Sequence, residues 1–345
     1  MIKKKIKAAI LSKINSDLQI KKIEIKTKLK KGQVFVKLKY SGVCGKQIDE
    51  INGTGGKDKF LPHLLGHEGS GIVKAIGPGV KKIKKEDKVI LHWIKGKGIQ
   101  SDTPEYVCNG KKINAGWVTT FNEFAIVSEN RITKIPKNYN MKKAALFGCC
   151  ATTSLGLVYK KLRLKKKDSL LVIGCGGLGQ IIIQAAKNFN LKNIIALDIN
   201  KTALRLAKKN GANILIDILR QGWNVFKRKI NYNKVVITTG NLNTIENSIK
   251  YLSFPGKCYV MGVPKKNKKI NINAWNLMHD QVIQGSLGGG AFPDRDIPKF
   301  IKLDIKNKIN LASLISKVYK LEEINKAIKL FKNSNTTGRI LIKFK

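Results

Sequence analysis

Three side chains far apart in the sequence stand out as possible metal ligands: Cys44 in SGVCGKQIDE, His67 in LLGHEGSG and Cys149 in ALFGCCATTS. Taken singly, each has a plain reading. A cysteine is usually a small buried hydrophobe, and one histidine among four is more often a hydrogen-bonded structural residue. Lys46, two residues after Cys44, raises a separate question, because a cation beside a divalent metal faces a like charge.

A second chemical feature is the run Gly174-Cys175-Gly176-Gly177-Leu178-Gly179, which fits GxGxxG. With 31 glycines in 345 residues the spacing alone is weak, but its context is specific. The apolar run LLVIG precedes it, a helical pattern opens at it, and the acid Asp198 ends the next apolar run, NIIALD. Gly174 permits the tight turn, Gly176 lets backbone approach a pyrophosphate, and Gly179 allows close packing of helix on strand. The N-terminus of the following helix presents its partial positive charge to the phosphates. Asp198 accepts ribose hydroxyls and repels a 2′-phosphate, so NAD is expected over NADP, with Lys201 and Arg205 near enough to soften the preference.

These residues need two kinds of scaffold. Residues 1 to about 130 read as short alternating strands, among them KKIEIK, VFVKLKY, GSGIVKAIG, KVILHW and FNEFAIVSEN. From residue 170 the pattern changes to fully apolar strands alternating with helices: LLVIG, LGQIIIQAAKNF, NIIALD and KTALRLAKKNGA, then KVVITTG, GKCYVMGV and QVIQGSLGG. Such alternation indicates a parallel sheet covered on both faces. Helices over DIPKFIKLDIKN and LEEINKAIKLFKN and a last strand, GRILIKF, follow. The fold class is therefore α/β, a doubly wound parallel sheet joined to a β-rich unit.

Composition limits the function. The chain carries 67 Lys and Arg against 22 Asp and Glu, a net charge of +45. The lysines are spread along the whole length without interleaved aromatics, and Lys, Ile and Asn are enriched together, as A+T-rich codons would produce. No specific nucleic-acid partner is expected, although the charge favours anionic ligands. No apolar run is long enough to span a membrane. Six cysteines without a CxxC pair argue for reduced thiols and a cytoplasmic protein.

Together the order Cys44, the Gly-His-Glu around His67, and Cys149 ahead of the glycine turn resembles the zinc-dependent alcohol dehydrogenases of the medium-chain dehydrogenase/reductase superfamily. GHEGSGIVKAIGPGV is similar to that family's glycine-rich zinc motif, and the glutathione-dependent formaldehyde (class III) branch is nearest in flavour. The resemblance implies a GroES-like catalytic domain over 1–149 and 289–345, with a Rossmann domain over 150–288 between its two parts. It implies Cys44, His67 and Cys149 as ligands of one catalytic zinc, whose open fourth position receives an alcohol or carbonyl oxygen. Glu68 is then an alternative ligand or a carboxylate just behind the metal, Trp93 a wall of the substrate pocket, and Arg339 a contact of the cofactor pyrophosphate. A small-molecule alcohol or carbonyl substrate and a homo-oligomer, dimer or tetramer, are also implied.

Two departures from the family stand out. The lobe that carries four structural-zinc cysteines in many relatives holds only Cys108, so one zinc per chain is expected. Where the family has Ser or Thr followed by Asp, this sequence has Lys46 and Gln47. Lys46 is open to three roles: general base, cofactor-phosphate contact, or substrate-anion contact. The leading expectation is hydride transfer between an alcohol, possibly polyol or sugar-derived, and NAD. Oxidation of a hydroxymethyl thiol and a zinc-free quinone or enone reductase are the alternatives.

Overall fold

The computed structural model describes residues 1–227, 230–333 and 337–345. Three sheets organise it. The doubly wound part is a wholly parallel six-stranded sheet. Its order is Ile214–Asp217, Asn193–Asp198, Ser169–Ile173, Lys234–Ile237, Gly256–Val260, Gln281–Gly285. The neighbouring strands Ser169–Ile173 and Asn193–Asp198 bury continuous apolar runs, Leu170–Ile173 and Ile194–Leu197, because helices cover both faces, as the expected α/β class requires. Their order places Ser169–Ile173 at the switch point, where chain direction along the sheet reverses and a crevice opens above the strand ends.

A second sheet holds the strands expected from the alternating N-terminal half. Gln33–Gly42 lies at its centre, flanked along one side by Glu68–Ile76. On its other side the first half pairs with Phe124–Ser128, and the end at Tyr40–Gly42 pairs with Arg339–Lys343. Beyond Glu68–Ile76 lies Lys88–His92. A third, five-stranded sheet includes Ile2–Leu11 and Gln19–Thr27, whose lysine-rich positions face water while Ile6, Ile10, Ile23 and Ile25 are buried.

Register decides what meets at the end of the central sheet. Ser41 lies opposite Gly69, Glu68 opposite His92, and Leu341 opposite Gly42. The chain therefore leaves three neighbouring strands at Cys44, His67 and Trp93, with Arg339 entering beside them. Among the elements that escaped the sequence reading, two show why. Ile315–Lys320 is a strand whose side chains are mostly exposed, so it lacks apolar alternation. Gly45–Ile51 is a helix of seven residues, too short to reveal a helical period.

Candidate active site

Cys44 caps the short helix Gly45–Ile51 in extended conformation, and Gln47, at the third helical position, returns its side chain to the Cys44 backbone. His67 stands immediately before Glu68–Ile76. Cys149 links the 3₁₀ turn Leu146–Gly148 to the helix Cys150–Gly156. One donor atom from each of Cys44, His67 and Cys149 lies within 4.8 Å of the others, and each residue is partly accessible. Among the described residues this is the one group of three or more His, Cys, Asp or Glu side chains so placed.

The two sulfurs shift each other in opposite directions. The Cys149 hydrogen bond, followed by those of His67 and the charges of Arg339 and His67, holds Cys44 well below the ordinary thiol range, although burial opposes it. Cys149 is pushed well up by the same bond and by burial beside that thiolate. Two sulfurs and an imidazole are the donor chemistry of zinc, and a divalent cation favours ionisation of both thiols. The residues present therefore fit a zinc ion, with an accessible side left open.

Glu68 is not one of the clustered donors. It is fully buried, its Oε1 pairs with the Arg339 guanidinium, and its Oε2 accepts the Cys150 N–H at 3.0 Å. Two glycines make room for it. A Cβ on Gly42 would fall 2.1 Å from Glu68 Oε1, and one on Gly148 would fall 2.5 Å from Glu68 Cα. The Cys150 thiol is buried and held protonated, so the second cysteine of the pair supplies a backbone hydrogen bond rather than a donor sulfur.

The other expected site residues separate into those beside the cluster and those away from it. Trp93 follows Lys88–His92. Its indole N–H is buried without a hydrogen-bond partner, close enough to Cys149 to favour that thiolate, and its ring lies 3.5 Å from where a Cβ on Gly288 would stand. Lys46 is exposed on the helix Gly45–Ile51, where its charge acts on Asp49 and Glu50, while Gln47 is 1% exposed and turns inward to His67. The residue that sequence reasoning missed is thus the neutral neighbour of the conspicuous cation. Away from the cluster, His92 and Cys108 each have partners of their own. His92 is engaged by Ile94 O and Thr133, and burial drops its pKa to about 4. The Cys108 thiol donates to Lys22 O.

The glycine turn has the geometry its spacing predicts. Gly174 adopts φ +84°, and a Cβ on Gly179 would meet Gly174 O at 2.1 Å. Around Gly176 a Cβ would meet nothing within 4 Å, an open approach for a ligand. The helix Gly177–Lys187 starts there, with Leu178 packed against the core and its carbonyl accepting the Ser154 hydroxyl. Asp198, partly accessible at its strand end, accepts Cys175 N–H at 2.6 Å and Asn200 N–H at 2.8 Å. Lys201 is exposed at the start of the next helix, Lys201–Asn210. Arg339 bridges the two halves of the site. Its Cδ would lie 2.3 Å from a Cβ on Gly177, while its guanidinium reaches Glu68 and its Nε stays buried without a partner.

Comparison with known proteins agrees with this geometry. A family model described as alcohol dehydrogenase GroES-like domain matches residues 30–137, and one described as zinc-binding dehydrogenase matches 177–305; together they cover more than half of the chain. The chain is 27% identical over 368 residues to S-(hydroxymethyl)glutathione dehydrogenase of Photobacterium damsela subsp. piscicida, covering 98% of this chain and 99% of that one. It is 27% identical over 368 residues to alcohol dehydrogenase 6 of Peromyscus maniculatus, covering 97% of each. Among solved structures, benzyl alcohol dehydrogenase from Acinetobacter calcoaceticus is similar with a TM-score of 0.89 at 25% identity, over 99% of this chain and 100% of that one. An alcohol dehydrogenase zinc-binding domain protein from Burkholderia ambifaria shares the fold, with a TM-score of 0.91 at 22% identity over the whole of both chains.

Proposed function

The chain belongs to the zinc-dependent alcohol dehydrogenases of the medium-chain dehydrogenase/reductase superfamily, and from that premise we propose that it interconverts an alcohol and its carbonyl with NAD, using Cys44, His67 and Cys149 to hold one zinc. The observation that carries this reading is the convergence of those three donors at the sheet end that Arg339 joins to the glycine turn. A zinc ion bound there supplies Lewis acidity to a hydroxyl or carbonyl oxygen, and NAD accepts or returns the hydride.

The chain's own residues do the rest. Gly174, Gly176, Gly177, Leu178 and Gly179 form a turn whose open face and helix N-terminus suit a pyrophosphate. Asp198 keeps acceptor capacity for ribose hydroxyls, with Lys201 at the rim. The unmatched Arg339 Nε–H is placed to serve the cofactor while the guanidinium neutralises Glu68. Trp93 walls the pocket between Cys149 and Gly288. Lys46, exposed rather than in contact with the ligand set, is read as a contact for an anionic cofactor or substrate group and not as the base. The unit boundaries 1–149 with 289–345, and 150–288, belong to the same reading; the parallel sheet from Ser169 to Gly285 supports them. Six unpaired cysteines support a reducing compartment, the cytoplasm, which cell fractionation checks. No helix among the described residues is long and apolar enough to cross a membrane.

A hydroxymethyl thiol is the second substrate reading, supported by the name of the Photobacterium relative. One experiment separates the possibilities. Protein purified without chelator is assayed for zinc by elemental mass spectrometry, then against an alcohol panel and against formaldehyde with glutathione, with NAD or NADP. One zinc per chain and NAD-linked turnover are expected, and in Lys46→Met an unchanged kcat and pH profile with a raised KM for cofactor or substrate. Absence of zinc with carbonyl or enone reduction intact would return the assignment to a zinc-free reductase.

Self-association is proposed through Gln281–Gly285. This edge strand is paired on one side only, and Trp275, Met278, Val282 and Leu287 are exposed around it. Val282→Lys is expected to convert a dimer or tetramer to a smaller species in light scattering; a wild-type chain that is monomeric at micromolar concentration sinks the idea.

A further inference from the structure

Gln47 touches the proposed ligand set from behind. Its Oε1 accepts the Cys44 N–H at 3.0 Å, and its Nε2 hydrogen-bonds His67 Nδ1. An amide offers one accepting end and one donating end, which suffices while Nδ1 carries a lone pair. With Nδ1 taken, Nε2 is the ring atom left for a metal, and coordination through it places the ring hydrogen on Nδ1. Two N–H groups, that of Cys44 and that of Nδ1, then face a single amide. In one orientation the amide nitrogen meets Nδ1–H; turned over, it meets the Cys44 N–H. Either way one donor facing the buried Gln47 amide goes unmatched by it, so the mismatch holds for both assignments of the amide ends. A carboxylate of the same length would accept from both.

We propose that Gln47 positions His67 and that its neutral amide keeps the metal centre loosely loaded and readily exchanged, where an acid would lock it. Gln47 has this role only if Cys44, His67 and Cys149 hold zinc, as proposed above. A residue that merely filled space would weaken the site when replaced by any other side chain. A positioning amide with one end mismatched predicts opposite effects from two substitutions of similar size. Gln47→Glu tightens zinc binding by about 10-fold or more, and Gln47→Met weakens it by about 10-fold, the range of outer contacts of metal ligands.

The test is zinc affinity of the full chain, read by competition with a chromogenic chelator, for wild type, Q47E, Q47M and C44S. The order Q47E, wild type, Q47M from tightest to weakest supports the proposal. Q47E binding no tighter than wild type, or Q47M binding as tightly, overturns it. If Q47E destabilises the metal-free fold, the zinc-induced rise in Tm is compared instead; a larger rise in Q47E supports the proposal, and an equal or smaller one overturns it. C44S separates the two levels. Zinc lost in C44S with Q47E equal to wild type overturns the Gln47 role alone, whereas zinc retained in C44S overturns the site itself.

Discussion

Replacing Cys149 by serine removes the zinc and lowers kcat/KM by about 10³-fold, the loss expected when several kcal/mol of Lewis-acid stabilisation disappear. Serine keeps the size of the side chain but offers a neutral, hard hydroxyl in place of a thiolate, leaving Cys44 and His67 as an incomplete set. The neighbouring thiol does not step in. Cys150 is 1% exposed, its burial holds the proton on, and its backbone N–H is tied to Glu68. Cys150→Ser is therefore the control that keeps its metal. Zinc content and initial rates with NAD, measured on both variants, decide the matter: a Cys149→Ser protein with one zinc and wild-type turnover would show that the metal lies elsewhere.

Replacing Arg339 by methionine destabilises the fold by about 3–5 kcal/mol, because it strips the cation from a carboxylate that no water reaches. Glu68 is fully buried, Arg339 is 5% exposed, and among the described residues the other partner of the Glu68 carboxylate is the Cys150 N–H. Removing both charges costs much less, so the double variant Glu68→Gln, Arg339→Met recovers most of the lost stability. Urea unfolding of the single and double variants gives the comparison. A loss within about 0.5 kcal/mol for Arg339→Met, typical of a surface change, would contradict it. Since Arg339 also lies against Gly177, the same substitution raises KM for NAD.

The parts of this molecule that were legible in its sequence are those written locally. The glycine turn could be read because an apolar strand, three glycines and a distal acid fall within one βα unit, and the structure places Gly174, Gly179 and Asp198 as that unit requires. The proposed ligand triad could be named only through the resemblance to the zinc-dependent alcohol dehydrogenases, and strand register shows why Cys44 and His67 end side by side. Illegible were the relations that need three dimensions. Gly42 and Gly148 look like ordinary turn residues until Glu68 is seen to fill the space they leave. The resemblance implied Arg339 as a contact of the cofactor pyrophosphate, but its pairing with Glu68 was not readable, since nothing in either segment points to the other. Lys46 drew attention through its charge, whereas Gln47, a neutral residue, makes the contacts with Cys44 and His67.

The Arg339–Glu68 pair also bears on how the chain folds. It joins residues 271 positions apart, through a strand that must slot beside Tyr40–Gly42. The loop entropy of that closure is spent before the contact is gained, and contacts of such long range slow folding. Until Arg339–Lys343 docks, Glu68 has no cation, and the sheet end carrying Cys44 keeps an open edge. Maturation of the site is thus expected late in folding, timed by the arrival of a distant strand rather than by the local chemistry of Cys44, His67 and Cys149.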